Sequence, residues 1–187
     1  TRSTSSPRRR RRSWRPIPIS RIASLACAIW AASTGLAAAF DLQGHRGARG
    51  LAPENTLAGF KVAQALGVTT LETDLAGTRD GVVVISHDPV LNPALTRGPD
   101  GQWLTATGPA IAKLTLDELK RYDIGRVNPA SKYGQQFPEQ KPVDGQRFPT
   151  LAEFFAQAAP AVRFNVEIKT DPGKPELTPD PLDFAGL

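Results

Sequence analysis

Four short clusters of polar residues carry the side chains that acid–base chemistry and metal binding require. In chain order they are His45-Arg46-Gly47, Glu72-Thr73-Asp74, His87-Asp88 and Glu167-Ile168-Lys169, and they include the only two histidines of the 187-residue sequence. Histidine exchanges a proton near neutral pH, and carboxylates are the ligands that hard divalent cations prefer. The combination predicts a catalytic site that contains a cation.

The i, i+2 spacing within two clusters determines where their charged side chains point. Alternate residues of a β-strand face the same side of a sheet, so Glu72 shares a face with Asp74, and Glu167 shares one with Lys169. Adjacent carboxylates repel each other unless a cation or a proton lies between them. Three carboxylates from two strands therefore predict a site for Mg²⁺ or Ca²⁺, and the sequence does not distinguish between these ions.

The link between the second and third predicted strands constrains their pairing. Too few residues separate Leu75 from Val82 for a parallel crossover, which needs a dozen or more, so we expect an antiparallel hairpin. Asp80-Gly81 is typical of a two-residue turn. That turn would place Asp74 opposite His87 and bring a histidine beside the proposed metal ligands.

The predicted elements that position these clusters alternate between strands and helices. The patterns predict strands over residues 40–43, 68–75, 82–86 and 162–168, and helices over 57–66, from about 115, and over 151–159. This order indicates an α/β fold with a parallel sheet. The clusters lie at the carboxyl ends of strands, where α/β barrels place catalytic residues, and a complete barrel takes about 250 residues. We therefore expect the N-terminal part of a barrel: about three βα units, a β-hairpin and an insertion at about residues 89–149.

The first 39 residues differ in composition from the rest of the chain. Residues 1–21 contain eight arginines and no acid, and an uncharged stretch rich in alanine follows and ends in Ala37-Ala38-Ala39. A basic segment, an apolar segment and small residues in this order are typical of a secretory signal peptide; the alternative is an uncleaved membrane anchor. Cleavage would remove Cys27, the only cysteine. The mature domain would be residues 40–187, in the periplasm or secreted, with no stable membrane association.

The charge of the remaining chain argues against a nucleic-acid-binding protein. Residues 22–187 hold 15 Lys or Arg against 18 Asp or Glu. The excess of positive charge in the whole sequence therefore comes from the N-terminal segment. We expect a small-molecule substrate and no nucleic-acid partner.

Three segments together resemble the glycerophosphodiester phosphodiesterase family. They are HRGARGLAPENTLAGFKVAQALG, LETDLAGTRDGVVVISHD and FNVEIK, and the segment between the last two is similar to that of exported members with a longer insertion. The resemblance implies a TIM (β/α)8 barrel, a divalent metal, Ca²⁺ or Mg²⁺, and hydrolysis of glycerophosphodiesters to sn-glycerol 3-phosphate and an alcohol.

The resemblance also implies roles for individual residues. His45 and His87 would be the general acid and base, in an order that the sequence does not give. Glu72, Asp74 and Glu167 would hold the metal. Arg46 and Lys169 would meet the charge of the phosphate, and the supporting residues would be Glu54, Asn55 and Asp88.

Two other functions stay open at this point. A related phospholipase D-like lyase would release a cyclic phosphate instead of glycerol 3-phosphate. A chain with an incomplete barrel could also be an inactive fragment that binds a phosphodiester or a metal.

Overall fold

The computed structural model describes residues 40–171 and 173–178 of the chain, so the predicted signal peptide lies outside the described residues. The strands are β1 (Gln43–Gly44), β2 (Thr70–Gly77), β3 (Val83–Ile85) and β4 (Arg163–Ile168). The α-helices of this part are α1 (Leu57–Ala65), α2 (Leu116–Leu119) and α3 (Leu151–Ala156), and two 3₁₀ turns cover Ile111–Lys113 and Gly134–Gln136. None of these helices is long and apolar enough to cross a membrane.

Strand β2 is the centre of the four-stranded sheet. Strand β4 pairs with it in parallel along residues 70–75. Strand β1 pairs in parallel at residues 70–71 and β3 pairs antiparallel at residues 75–77. Because a strand has only two edges, β1 and β3 share the edge of β2 that β4 leaves free. The described residues thus form an open, mainly parallel wall and not a closed barrel.

Helices α1 and α3 cover one face of this wall. Thr56 begins α1 as its N-cap, because its Oγ1 accepts a hydrogen bond from the Gly59 backbone N–H. Gly67, with φ of +81°, follows the helix. The rings of Phe60 on α1 and Phe154 on α3 lie 4.5 Å apart and are fully buried. They pack with Ala63, Leu71, Leu75 and Ile85 in the first hydrophobic core.

The hairpin of β2 and β3 separates two cores, since its alternate residues face opposite sides. The Leu75–Ile85 pair faces the first core, and the next pair, Ala76 and Val84, faces the second. The second core is completed by residues of the insertion: Leu91, Ile111, Leu119, Ile124 and Phe148. The insertion therefore packs on the hairpin as a small apolar layer of its own.

The predicted hairpin register was wrong by one residue. Leu75 pairs with Ile85, and the Ser86 N–H donates to the Asp74 carbonyl oxygen, so Asp74 lies opposite Ser86 and not opposite His87. The turn contains three residues, 79–81, because the Thr78 N–H bonds to the Val82 carbonyl oxygen at 3.0 Å. A one-residue shift reverses the faces of all paired side chains. His87 consequently enters the site from the segment that follows β3.

Several predicted elements were too long at one or both ends. The first strand contains two residues instead of four, β2 is displaced towards Gly77, and β3 and α3 end earlier than expected. The predicted order of strands and helices and the antiparallel return of β3 are confirmed. The expectation that each polar cluster lies at the carboxyl end of a strand is wrong for Glu72 and Asp74, which are the third and fifth of the eight residues of β2, because β2 extends to Gly77. Glu167 is the last residue but one of β4.

Candidate active site

Three carboxylates meet on one face of the sheet. Glu72, Asp74 and Glu167 each offer one oxygen, and these oxygens lie within 4.8 Å of one another. The parallel register places Asp74 and Glu167 side by side on β2 and β4, and Glu72 lies two residues before Asp74 on the same face. The side chain of Asp74 is 1% exposed and that of Glu167 is 56% exposed. Asp74 thus lies on the buried side of the cluster, and Glu167 lies on the side that is open to solvent.

Lys169 lies against the open side of this cluster. Its Nζ is 2.7 Å from Glu167 Oε1 and 3.3 Å from Asp74 Oδ1. Burial lowers the pKa of Lys169, but the hydrogen bonds and charges of the two carboxylates outweigh burial and raise it. The hydrogen bond from Lys169 lowers the pKa of Glu167. Both groups are therefore charged at neutral pH.

The loop after β1 brings His45 and Arg46 to the same cluster. The Arg46 backbone N–H donates to Glu72 Oε2 at 2.7 Å, and His45 Nε2 lies 3.7 Å from that oxygen. Arg46 has φ of +54° and Gly47 has φ of +84°, so the loop turns through the left-handed region twice. A non-glycine residue in this region costs about 1–3 kcal/mol, and such strain is concentrated at functional sites. The half-exposed His45 side chain is accessible to a solute.

The Arg46 guanidinium extends behind the carboxylates. Its Nη1 donates to Glu54 Oε1 at 2.9 Å, and its Nε lies 3.5 Å from Asp74 Oδ2. Burial lowers the pKa of Arg46, but the hydrogen bond and charge of Glu54 and the charge of Asp74 outweigh burial and raise it. The other Glu54 oxygen accepts a hydrogen bond from the hydroxyl of Tyr133. A fixed positive charge therefore offsets part of the repulsion among the carboxylates.

Asn55 fixes Asp74 from a second direction. Its Nδ2 donates to Asp74 Oδ2 at 3.3 Å, and its Oδ1 accepts from Thr73 Oγ1 at 3.1 Å. Asn55 has φ of +52° and its backbone N–H donates to the Arg46 carbonyl oxygen at 3.0 Å. The start of α1 and the histidine loop are thus joined directly to β2.

His87 is held by a chain of two further side chains. Its Nδ1 lies 2.8 Å from Asp88 Oδ1, and Asn92 Nδ2 donates to Asp88 Oδ2 at 2.6 Å. Burial raises the pKa of Asp88, but the hydrogen bonds from His87 and Asn92 outweigh it and lower the pKa. An ionised carboxylate only accepts hydrogen bonds, so His87 Nδ1 carries a proton and Nε2 is the atom left for proton exchange.

A small pocket opens beside His87. Its apolar lining includes Ile85, Ile124 and Phe148, and its polar lining includes Asn92. Mixed lining of this kind is typical of sites for small organic groups. The insertion therefore helps to form the surroundings of His87.

Three residues that contact the site were missed by sequence reasoning. Thr73 lies between Glu72 and Asp74 in the sequence and Asn92 is four residues after Asp88, but neither residue type has a distinctive spacing. Tyr133 lies 79 residues from Glu54, in a part of the insertion without regular periodicity. Only the fold reveals these contacts.

The donor set fits a hard divalent cation. Carboxylate oxygens from two strands converge, and Lys169 and Arg46 balance only part of their charge. Oxygen ligands are those of Mg²⁺ and Ca²⁺. The adjacent histidines add groups that can exchange protons at the same place.

Comparison with known proteins identifies the family. Residues 45–179 match the glycerophosphoryl diester phosphodiesterase family. A glycerophosphodiester phosphodiesterase from Caldanaerobacter subterraneus is 34% identical over 128 residues, which are 67% of this chain and 44% of that protein. One from Bacillus subtilis is 31% identical over 138 residues, which are 71% of this chain and 42% of that protein. The chain thus spans less than half the length of these curated relatives.

Solved structures agree with this result. A crystal structure from Silicibacter pomeroyi, assigned as a glycerophosphoryl diester phosphodiesterase, matches with a TM-score of 0.71 and 38% identity over 76% of this chain and 49% of its own. An Oleispira antarctica phosphodiesterase in complex with the product sn-glycerol-3-phosphate matches with a TM-score of 0.52 and 32% identity, over 74% of this chain and 48% of its own. These neighbours are TIM barrels, so the open wall is part of such a barrel. The chain belongs to the glycerophosphoryl diester phosphodiesterase family.

Proposed function

We propose that this chain supplies the metal and proton-transfer groups of an enzyme that hydrolyses glycerophosphodiesters to sn-glycerol 3-phosphate and an alcohol. The activity is proposed for the complete barrel, because the chain covers less than half of its relatives. The observation that carries the proposal is the convergence of Glu72, Asp74 and Glu167 within 4.8 Å, with a histidine loop on Glu72. The Oleispira antarctica neighbour, which binds sn-glycerol-3-phosphate, supports this choice of product.

The three carboxylates would hold a divalent cation, Ca²⁺ or Mg²⁺. When bound, such an ion neutralises the charge of non-bridging phosphate oxygens and orients the phosphate. The buried Asp74 accepts one hydrogen bond from Asn55, and Glu72 accepts one from the Arg46 backbone. These contacts hold the acceptor oxygens in place before any ligand arrives.

His45 and His87 would transfer the protons of the reaction. A hydroxyl oxygen, of water or of the glycerol, attacks phosphorus and loses its proton to one histidine. The bond from phosphorus to the alcohol oxygen breaks, and the other histidine protonates that oxygen. If the glycerol hydroxyl attacks, the product of this step is a cyclic phosphate, and a water molecule then attacks phosphorus and opens the ring to sn-glycerol 3-phosphate. Asp88 orients His87 so that Nε2 is available for this exchange, since Asp88 Oδ1 accepts the hydrogen bond from Nδ1–H.

The cationic side chains would meet the phosphate. Lys169, 26% exposed, is the more accessible of the two, whereas Arg46 is 11% exposed and lies behind the carboxylates. Glu54, Asn55 and Asp88 would support these groups without touching the reacting atoms.

Export is part of the proposal. We assign residues 1–39 to a cleaved signal peptide, residues 40–187 to the phosphodiesterase domain with its insertion at about 89–149, and the mature protein to the periplasm or the medium. The support is the order of the basic, apolar and small-residue segments. N-terminal sequencing of the protein recovered from its host should start at Phe40; a start upstream of Ile22 would contradict cleavage.

The activity can be tested with glycerophosphocholine as the substrate of the complete protein. We expect glycerol 3-phosphate in ³¹P NMR spectra, loss of turnover in EDTA, and recovery with Ca²⁺ or Mg²⁺. His45→Ala and His87→Ala should each abolish turnover. A cyclic phosphate as the final product would favour the lyase, and binding without turnover, unaffected by either change, would favour the inactive phosphodiester-binding protein.

A further inference from the structure

The insertion contacts the active-site loop through one short segment. We define residues 133–141 as the insertion arm and residues 46–55 as the site loop, which carries Arg46, Glu54 and Asn55. The Gln140 amide donates to the Arg49 carbonyl oxygen at 2.7 Å. The Lys141 backbone N–H donates to the Leu51 carbonyl oxygen at 2.8 Å. The arm therefore fixes the backbone of the site loop at two points.

Aromatic contacts extend the same interface. The Arg49 guanidinium lies 5.4 Å from the centre of the Phe137 ring. Phe137 in turn packs edge-on against Tyr133, with ring centres 5.1 Å apart. This stack holds the tyrosine ring in one orientation, with its hydroxyl directed to the site loop.

The Tyr133 hydroxyl donates its hydrogen bond to the buried carboxylate of Glu54. Glu54 is 4% exposed; one of its oxygens binds Arg46 and the other binds Tyr133. A buried carboxylate is stable only when its oxygens are paired. Loss of the hydroxyl would leave one oxygen buried without its partner, and the carboxylate would have to turn.

Glu54 connects the tyrosine to the proposed metal ligands. Arg46 Nη1 donates to Glu54, and Arg46 Nε lies 3.5 Å from Asp74 Oδ2. The contacts thus run from Tyr133 through Glu54 and Arg46 to Asp74. A rotation of Glu54 would displace the guanidinium that balances the charge of the carboxylate cluster.

We infer that Tyr133 is a positioning residue of the active site: it holds Glu54, and through Glu54 it holds Arg46 against the proposed metal ligand Asp74. This inference deepens the proposed function and rests on it. The insertion is then part of the catalytic apparatus and not only a cover over the hairpin. Burial and the hydrogen bond to Glu54 raise the pKa of Tyr133 to about 12, so the hydroxyl keeps its proton at neutral pH.

The test compares the two tyrosines of the chain. Tyr133→Phe removes the hydroxyl that binds Glu54 and keeps the ring. Tyr122→Phe is the matched control, because the Tyr122 ring packs on the second core and its hydroxyl makes no hydrogen bond to any described residue. A hydrogen bond to a charged group is among the stronger ones, so we expect kcat/KM for glycerophosphocholine to fall roughly tenfold in Tyr133→Phe, mainly through KM. Tyr122→Phe should stay within about twofold of the wild type, since its hydroxyl has no partner to lose.

A double substitution distinguishes positioning from general stability. If Tyr133 acts through Glu54, Tyr133→Phe should add no further loss of kcat/KM in a Glu54→Gln background. Additive losses, or equal behaviour of Tyr133→Phe and Tyr122→Phe, would overturn the inference. Hydrogen exchange provides a readout that does not need turnover: site-loop amides should exchange faster in Tyr133→Phe than in Tyr122→Phe. Equal exchange would overturn the inference, whereas an inactive wild type would contradict only the proposed function.

Discussion

Lys169 Nζ lies 3.3 Å from Asp74 Oδ1, so an ammonium group is placed at the carboxylate cluster that would hold a cation. The same nitrogen donates to Glu167 at 2.7 Å. One lysine thus contacts two of the three proposed metal ligands. The positive charge of Lys169 should oppose binding of a metal cation at the cluster and favour binding of an anion such as a phosphate.

Removal of that charge should separate metal affinity from phosphate affinity. Two unit charges 4 Å apart interact by about 4 kcal/mol at an effective dielectric constant of 20, and solvent weakens this at a partly exposed lysine. We therefore expect Lys169→Met to bind Ca²⁺ or Mg²⁺ roughly tenfold more tightly and to bind glycerol 3-phosphate more weakly. Isothermal titration measures both affinities. The control is Lys120→Met, because Lys120 pairs with Glu153 and not with the carboxylate cluster. Weaker metal binding in Lys169→Met than in the wild type would contradict the prediction.

Loss of a ligand carboxylate should be compensated by more metal. Glu72→Gln and Asp74→Asn keep side-chain volume but remove a charged oxygen donor from the cluster. We expect turnover to fall at low metal concentration and to recover in part at high concentration. Asp41→Asn is the control, since Asp41 precedes β1 and pairs with Arg163 at the opposite end of the sheet. Absence of rescue at every metal concentration would count against the ligand role.

Local rules account for what the sequence predicted correctly about the site. Strand alternation placed Glu72 and Asp74 on one face, and parallel pairing placed Glu167 beside Asp74. The first relationship follows from residue spacing within a strand, whereas the second also needs the register of β4 against β2, which the structure supplies. The sequence therefore predicts a common site for the three carboxylates, and the register of β2 and β4 adds which of them are neighbours.

The hairpin register could not be obtained from the same rules. Asp80-Gly81 is a signal for a two-residue turn, but Thr78 closes a longer one. Its Oγ1 accepts the Val82 N–H at 2.9 Å, and Gly81 has φ of +78°, as three-residue loops require. The choice between the two turns depends on a side-chain hydrogen bond that residue types alone do not specify.

The insertion was the least predictable part of the chain. Its contacts with the site join residues far apart in the sequence, such as Tyr133 and Glu54. Neither the spacing nor the hydrophobic pattern of the insertion encodes that pairing. It arises only when the second core fixes the path of the chain.

Removal of His87 should abolish chemistry without loss of the metal. His87 bonds to Asp88 and not to the carboxylate cluster, so its imidazole is available for proton transfer. We expect His87→Ala to lose nearly all turnover and to bind Ca²⁺ or Mg²⁺ within about threefold of the wild type, a change of less than 1 kcal/mol. Calorimetric titration beside a steady-state assay gives both values. A loss of metal affinity as large as that in Asp74→Asn would show that His87 is a ligand.

Asp88 should make the stability of the protein depend on pH. Its pKa in the folded protein is below the unfolded value of about 3.9, so its contribution is present above that pH and is lost as pH falls through the folded pKa. We expect Asp88→Asn to have a lower free energy of unfolding than the wild type at pH 7. The difference should shrink below about pH 4. Urea unfolding at several pH values, with the exposed Asp100→Asn as control, measures it; a difference independent of pH would contradict the prediction.

Gly47 should tolerate no side chain, because the loop that presents His45 and Arg46 lies directly on α1. A Cβ at Gly47 would lie 2.9 Å from the Gly59 carbonyl carbon and 3.0 Å from the Phe60 nitrogen, and the residue has φ of +84°. Both neighbours are helix backbone and cannot move aside cheaply. We expect Gly47→Ala to lower the free energy of unfolding by about 1–3 kcal/mol and to weaken the Arg46 N–H bond to Glu72.

The matched control is Gly50→Ala in the same loop, where an added Cβ would meet no atom within 4 Å. Urea unfolding of the two variants and the wild type separates a steric cost from a general effect of alanine. Gly50→Ala should unfold at nearly the same urea concentration as the wild type, since it creates no contact and loses none. If the two variants unfold together, then the loop can move away from α1, and its close contact with the helix does not set the position of Arg46.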